Sequence, residues 1–324
     1  MMFSPNHTKI YPWWQIIGIL GFIGLMGYIV SISNWFMELE YKYTNRAVAF
    51  LDVLGFQNKL EEFEKEAIEY YNASNNEETE ENFIEDNDDI SSPIYYSQKA
   101  SDFIKTFNSA ISKLDSDKFS YYLFSDNICI TAKSSGDNGE NSLVELLLVI
   151  SELYFEFIQK GYFLRGGIDY GLFIDKSSIA LGVPLATAYK MESTQAVFPR
   201  IVLSKNFIKQ LEDYSVDNVN GYSSILTSSL IKVSCDIQYL NVFNHIFKVD
   251  DKEYFFERYS YNINENLQNA SQKENIFLKY KWLATEFNSF IETYTSSLAY
   301  YDENFEATDE YIHIVKQLKV EYGQ

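Results

Sequence analysis

Asp52 is the only charged residue in the run AVAFLDVLGF, residues 47–56. The run has the apolar, partly β-branched and aromatic character of a buried strand. A buried carboxylate is costly unless a cation or a set of donors compensates it. A second aspartate, Asp126, lies in the turn Ser125-Asp126-Asn127 of a strong hairpin signal, KFSYYLFSDNICITA. Taken alone, Asp126 is most simply a turn residue. Two carboxylates brought together at one sheet edge, however, can hold two divalent cations against a triphosphate. One cation would activate an attacking oxygen and the other would neutralise the phosphates. Beyond Asp52, the stretch Val53, Leu54, Gly55, Phe56 is a glycine-containing turn into a helix. Backbone N–H groups in such turns suit a phosphate.

Positioning these groups requires a strand at RAVAFLDVLGF, a helix starting at QNKLEEFEKEAIEYY, and helical periodicity again in SQKASDFIKTFNSAISKL. The hairpin follows, then a helix NSLVELLLVISELYFEFIQKG closed by Gly161. LRGGIDYGLFI reads as a strand, GVPLATAYKMESTQ as a helix and FPRIVLS as a further strand. The region 230–259 reads as strands, with VDDKEYFFERY closing a hairpin, and 273–321 as two helices. The order β-α-β-β-α-β then α-β predicts an α+β sandwich with helices on one sheet face. In that topology Asp52 and Asp126 converge.

The formal charge of −20 argues against a general nucleic-acid binder. A local electropositive nucleotide site remains compatible with it. With 26 Tyr and 25 Phe the chain favours a large packed core over disorder. Cys129 and Cys235 form no C-x-x-C pair, which fits a reducing compartment. His7, His245 and His313 are far apart in sequence and read as solvated or structural. Residues 72–92, NASNNEETEENFIEDNDDISS, are an acidic tract without a basic residue, read as a solvated surface insertion.

No charged residue occurs from Tyr11 to Phe36, and the apolar stretch is long enough to cross a bilayer. Trp13, Trp14, Tyr28 and Trp35 flank it as interfacial aromatics. Lys42 and Arg46 follow it while only Lys9 precedes it, which places the C-terminal side in the cytoplasm. Gly18, Gly21, Gly24 and Gly27 would permit close contact between two such helices.

FLDVLGF, FSDNICI, LRGGIDYG and GVPLATAYKMES, in this order over roughly 46–204, resemble the catalytic domain of class III nucleotidyl cyclases. The resemblance implies a ferredoxin-like palm acting as a homodimer with active sites at the interface. It implies a metal site made by Asp52, Val53 and Asp126 for two Mg²⁺ or Mn²⁺ ions, with Arg165 on the phosphates. The reaction would be attack of the nucleotide's 3′-oxygen on its own α-phosphorus. The departures from the family are specific. Tyr122 and Ile179 stand where the purine readers belong, and Ala186 and Lys190 stand where Asn and Arg belong. Lys190 keeps the charge without the planar fork. Together with PRIVLS and KYKWLATEFN, the segments are most similar to bacterial Pycsar pyrimidine cyclases, whose cyclic CMP or cyclic UMP is an antiphage signal read by a separate effector. Arg200 in PRIVLS is a further candidate for phosphate or base contact, with a structural arginine as the equal alternative.

The expected organisation is a tail (1–11), a transmembrane helix (12–36), a linker (37–45), a cyclase domain (46–260) and a C-terminal helical extension (261–324). The expected setting is the bacterial inner membrane, spanned once, with the catalytic domain cytoplasmic. The expected catalytic residues are Asp52, Asp126 and Lys190. The expected nucleotide contacts are Leu54, Gly55, Phe56, Tyr122, Arg165, Ile179 and Arg200.

Overall fold

The computed structural model describes residues 41–77, 94–133, 139–176, 179–217, 229–301 and 306–322. The proposed membrane span at 12–36 lies outside them, as does most of the acidic tract. Among the described residues no helix is long and apolar enough to cross a membrane. Residues from Thr44 onward form one compact unit.

Strand β1 (Thr44–Val53) lies between β3 (Asn127–Lys133) and β4 (Leu164–Lys176), antiparallel to both. With β2 (Phe119–Phe124) beyond β3, the order β2-β3-β1-β4 is that of a ferredoxin-like sheet. The sheet continues through β6 (Ile201–Leu203), parallel to β4, then β8 (Ile237–Leu240) and β7 (Ile231–Ser234). The short β5 (Ile179–Gly182) folds back on β4. The fold is therefore α+β, as the element order requires.

The alternation of β1 separates its two faces. Ala47, Ala49, Leu51 and Val53 enter the main core, whereas Val48 joins a smaller cluster with Tyr122, Cys129 and Phe173. Helices α1 (Phe56–Glu77), α2 (Gln98–Ser112) and α3 (Gly139–Ile158) contribute Phe63, Phe107 and Leu147 to the main core. Ser97 caps α2 by accepting from the Ala100 amide at 3.1 Å. Gly161, at φ +77°, ends α3 in the left-handed conformation, with its amide on the Ile158 carbonyl. Helix α4 (Val183–Thr194) covers the opposite face beside β1 and β4, with the Tyr189 ring edge-on to Phe50 at 5.4 Å. It sits very close to β4: a Cβ on Gly167 would lie 2.4 Å from the Ala188 carbonyl oxygen.

After β8 the chain departs from the sequence expectation. VDDKEYFFERY does not close a hairpin. Asp251 caps a helix, α6 (Lys252–Asn269), by accepting from the Tyr254 amide at 2.9 Å. Phe255, Tyr259, Ile263 and Leu267 then recur every fourth residue on its buried face. Helix α5 (Lys205–Asp217) precedes this region, and a 3₁₀ segment (Val242–Lys248) links β8 to α6. Helix α6 runs through the boundary drawn at 260/261. Helices α7 (Glu274–Tyr301) and α8 (Glu306–Gln317) are the two helices expected at the end. Phe243, Tyr259, Phe287 and Phe290 interlock there with ring centroids 5.1–5.7 Å apart. Each such ring withdrawn from water contributes about 1.5–3 kcal/mol before entropy is counted.

Candidate active site

Register places the site. Asp52 is paired with Asn127 on one side and with Arg165 on the other. The β2–β3 turn is only Ser125–Asp126, with Ser125 at φ +61°, and Asn127 is already in β3. Asp126 therefore comes directly beside Asp52, close enough for their carboxyls to hydrogen-bond. Asp52 is the more buried of the two. Arg165 Nε donates to Asp52 Oδ2 at 2.7 Å. Its Nη2 lies 2.7 Å from Oε1 of Glu192, an ionic contact out of line for a hydrogen bond. Glu192 reaches the cluster from the last turn of α4.

The cluster is crowded with negative charge. Burial pushes the Asp52 carboxyl up to about 7 against the pull of Arg165, and Asp126 and Glu192 add to the rise. Burial also raises Glu192, opposed by Arg165. The donor set is anionic oxygen, which suits hard divalent cations. Among the described residues no three His, Cys, Asp or Glu side chains form a self-sufficient metal cage. A carboxylate pair completed by substrate phosphates and water fits a magnesium-type ion better than a closed cage does. Asp52 and Asp126, with Val53 beside them, thus fit the expected metals.

The phosphate turn is partly available. The Leu54 amide is taken by the Phe163 carbonyl at 2.8 Å, which corrects its expected role as a phosphate donor. Gly55 adopts φ +73°, and a Cβ there would meet open space, so the backbone conformation, not crowding, calls for glycine. Phe56 begins α1, and its ring packs into the core against Phe103 at 4.7 Å.

Several expected nucleotide contacts sit elsewhere. The Tyr122 hydroxyl donates to Asp175 Oδ1 at 2.6 Å and lies 3.0 Å from the Ile179 carbonyl oxygen. Thr131 donates to the other Asp175 oxygen at 2.6 Å, and Arg46 stands 3.4 Å from it. Buried and tied in this way, the Tyr122 ring presents no free face for stacking on a base. The Ile179 side chain is exposed and offers no polar atom. Lys190 and Ala186 lie on the exposed side of α4, and the chain alone does not bring Lys190 to the carboxylates. Arg200 is buried under Phe198, Tyr239 and Trp282, 5.5–5.7 Å from each ring, and donates to the Gln195 carbonyl at 2.9 Å. That is a packing role, with three rings and a backbone carbonyl around the guanidinium.

Sequence reasoning missed Glu192, within a helix it had identified, and Asp175, one residue beyond the strand LRGGIDYGLFI. Glu192 lies one turn after Ala188, where α4 touches β4, and only that contact marks it out.

No protein-family model matches the chain, and no curated protein matches it. Similar solved structures include the guanylyl cyclase Cya2, at 12% identity over 53% of this chain and 80% of that one, TM-score 0.32. A bacterial light-regulated adenylyl cyclase matches at 11% identity over 53% and 81%, TM-score 0.32. The catalytic core of a rhodopsin-guanylyl cyclase with converted specificity, in complex with ATPαS, matches at 14% identity over 54% and 86%, TM-score 0.31. These are partial likenesses of backbone and assign no substrate to this chain.

Proposed function

We propose that this chain is a membrane-anchored nucleotide cyclase converting UTP or CTP to the 3′,5′-cyclic monophosphate and pyrophosphate, as a second-messenger signal in antiphage defence. The observation that carries the enzymatic part is the meeting of Asp52, Asp126 and Arg165 at one strand end. In the reaction the 3′-oxygen bonds to the α-phosphorus while the bond from that phosphorus to the β-bridging oxygen breaks. The hydroxyl proton passes to a base and pyrophosphate leaves. Asp52 and Asp126 would hold two Mg²⁺ or Mn²⁺ ions, which would supply acidification of the 3′-hydroxyl and neutralisation of the phosphates. Arg165 turns from its carboxylate partners to the phosphates, a planar donor suited to them.

The pyrimidine assignment is supported by the absence of purine readers. Tyr122 is committed to Asp175, and Ile179 has no donor or acceptor in its side chain. A homodimer with sites at the interface would let the exposed Lys190 serve the site of a second copy. The inner-membrane setting, with the catalytic part cytoplasmic, rests on the apolar sequence at 12–36 and on where nucleoside triphosphates are. The antiphage role and the separate effector rest on the sequence resemblance.

The test incubates the purified chain with Mn²⁺ and each nucleoside triphosphate in turn, identifying products by mass. Cyclic UMP or cyclic CMP, lost in Asp52→Ala and Asp126→Ala, is the expected result; a purine product refutes the base assignment. A second reading, a cyclase-like module that binds nucleotide without turning it over, is favoured by the exposure of Lys190 and Ala186. Nucleotide binding with no product from any triphosphate would select it.

A further inference from the structure

The cluster around Asp52 has a neighbour from the far end of the sequence. Helix α7 packs its first turns against the start of β4, where the Tyr280 ring meets Phe163 edge-on at 5.1 Å. Phe163 is the residue whose carbonyl holds Leu54, at the end of the sheet where Asp52 and Arg165 pair. Lys279 precedes Tyr280 and is half-buried. Its ammonium lies within electrostatic range of Arg165, Asp52 and Glu192. Among the described residues it makes no ion pair and no hydrogen bond. Arg165, in contrast, is engaged by two carboxylates.

A half-buried ammonium that stands near a carboxylate cluster without pairing to it is a cation held in reserve. Burial, with Arg165 adding to it, lowers Lys279 from its ordinary value. A surface lysine with only a solvated role would gain by turning outward or by pairing. An arriving polyphosphate adds several negative charges beside three carboxylates and one engaged guanidinium. Even with two divalent cations bound, the three carboxylates and a triphosphate together outweigh those cations and the one guanidinium. A further positive charge within reach is therefore favourable, and Lys190 stays on the exposed side of α4.

We propose that Lys279 is a polyphosphate-binding residue of this site, contributed in cis by the C-terminal helix to the leaving pyrophosphate end of the nucleotide. The proposal rests on the nucleotide-cyclase reading for the identity of its ligand. It places a functional residue inside the KYKWLATEFN segment, beyond the palm itself.

The experiment uses the full chain with Mn²⁺ and pyrophosphate as the probe, measured by calorimetry, with unfolding midpoints recorded in parallel. Lys279→Met keeps the apolar stem and removes the charge. It should weaken pyrophosphate binding about tenfold or more, as loss of one charge-assisted contact does. Lys279→Arg should restore most of the affinity, and Lys273→Met, an exposed lysine at the foot of α7, should change nothing. Unfolding midpoints should stay together across the set. Pyrophosphate affinity unchanged in Lys279→Met overturns the proposal and leaves the cyclase reading standing. A lowered midpoint with unchanged affinity makes Lys279 structural and overturns it equally. Lys279-dependent binding in a chain that forms no cyclic product keeps the proposal and removes the cyclase reading. Failure of the unaltered chain to bind pyrophosphate overturns the proposal.

Discussion

Two arginines on adjacent backbones have opposite environments. The Gly166 amide donates to the Arg200 carbonyl at 3.1 Å, so Arg165 and Arg200 approach the sheet side by side. Arg165 turns to the α4 face, stays half-exposed and meets only carboxylates. Arg200 turns under three aromatic rings, with its Nε buried and without a partner. A guanidinium among acids at a wet strand end can exchange one anion for another at little cost. One enclosed by rings is fixed by its own shape, and moving it would empty the space it fills. Residue type alone therefore says little about role; the partners within 3 Å and the access of water decide it.

The comparison can be broken in four places. Removing either anion at the Arg165 end, as Asp52→Ala or Asp126→Ala, should cut turnover by about 10³-fold or more while the far-ultraviolet circular dichroism stays unchanged. Equal loss of structure would mean that the carboxylates serve the fold. Removing the guanidinium at the other end, as Arg200→Ala, should cost about 2–4 kcal/mol in urea unfolding through the cavity and the lost ring contacts. Nucleotide binding by the molecules that remain folded should be unaltered. Lysine substitution sharpens the contrast: Arg165→Lys should lower kcat about 10–100-fold with the unfolding midpoint nearly constant, because the fork is lost and the charge kept. The smallest effect belongs to the edge of the aromatic cage. Glu286 accepts from Lys232 at 2.6 Å and from Tyr239 at 3.1 Å, and Glu286→Gln should cost about 0.5–1 kcal/mol in the same unfolding measurement.

The ferredoxin-like palm was implied by the family resemblance, but the element order and the aspartate pair were legible for a common reason. Both depend on short-range signals, apolar runs broken by turn residues, which local physics reads well. Asp52 stood out because a carboxylate in a strand interior violates the pattern around it. Glu192 did not stand out, since a glutamate near the end of a helix is ordinary until β4 is known to lie beneath it. Tyr122 was assigned by position in a motif, but its hydroxyl was claimed by Asp175 through the β4–β5 fold-back, a contact no local pattern encodes. Arg200 was left open between a ligand contact and a structural role because its aromatic partners from β8 and α7 arrive from much later in the chain. The stretch VDDKEYFFERY was misread for a different reason: its aromatics suggested a strand, and the four-residue spacing of Phe255, Tyr259, Ile263 and Leu267 becomes plain only when the window is lengthened past Tyr259.

The Trp282 ring stacked on Phe198 at 5.2 Å has a temporal consequence. Trp282 belongs to a helix synthesised after every strand of the sheet, yet it closes the cage around Arg200, whose carbonyl holds the backbone beside Arg165. Arg165 in turn is 113 positions from its partner Asp52. A nascent chain still lacking α7 therefore leaves Phe198 and Arg200 uncovered where Trp282 will sit, although β4 can already pair with β1 along its length. The aromatic cage is thus completed late in synthesis, after the strands that carry Asp52 and Arg165 have emerged.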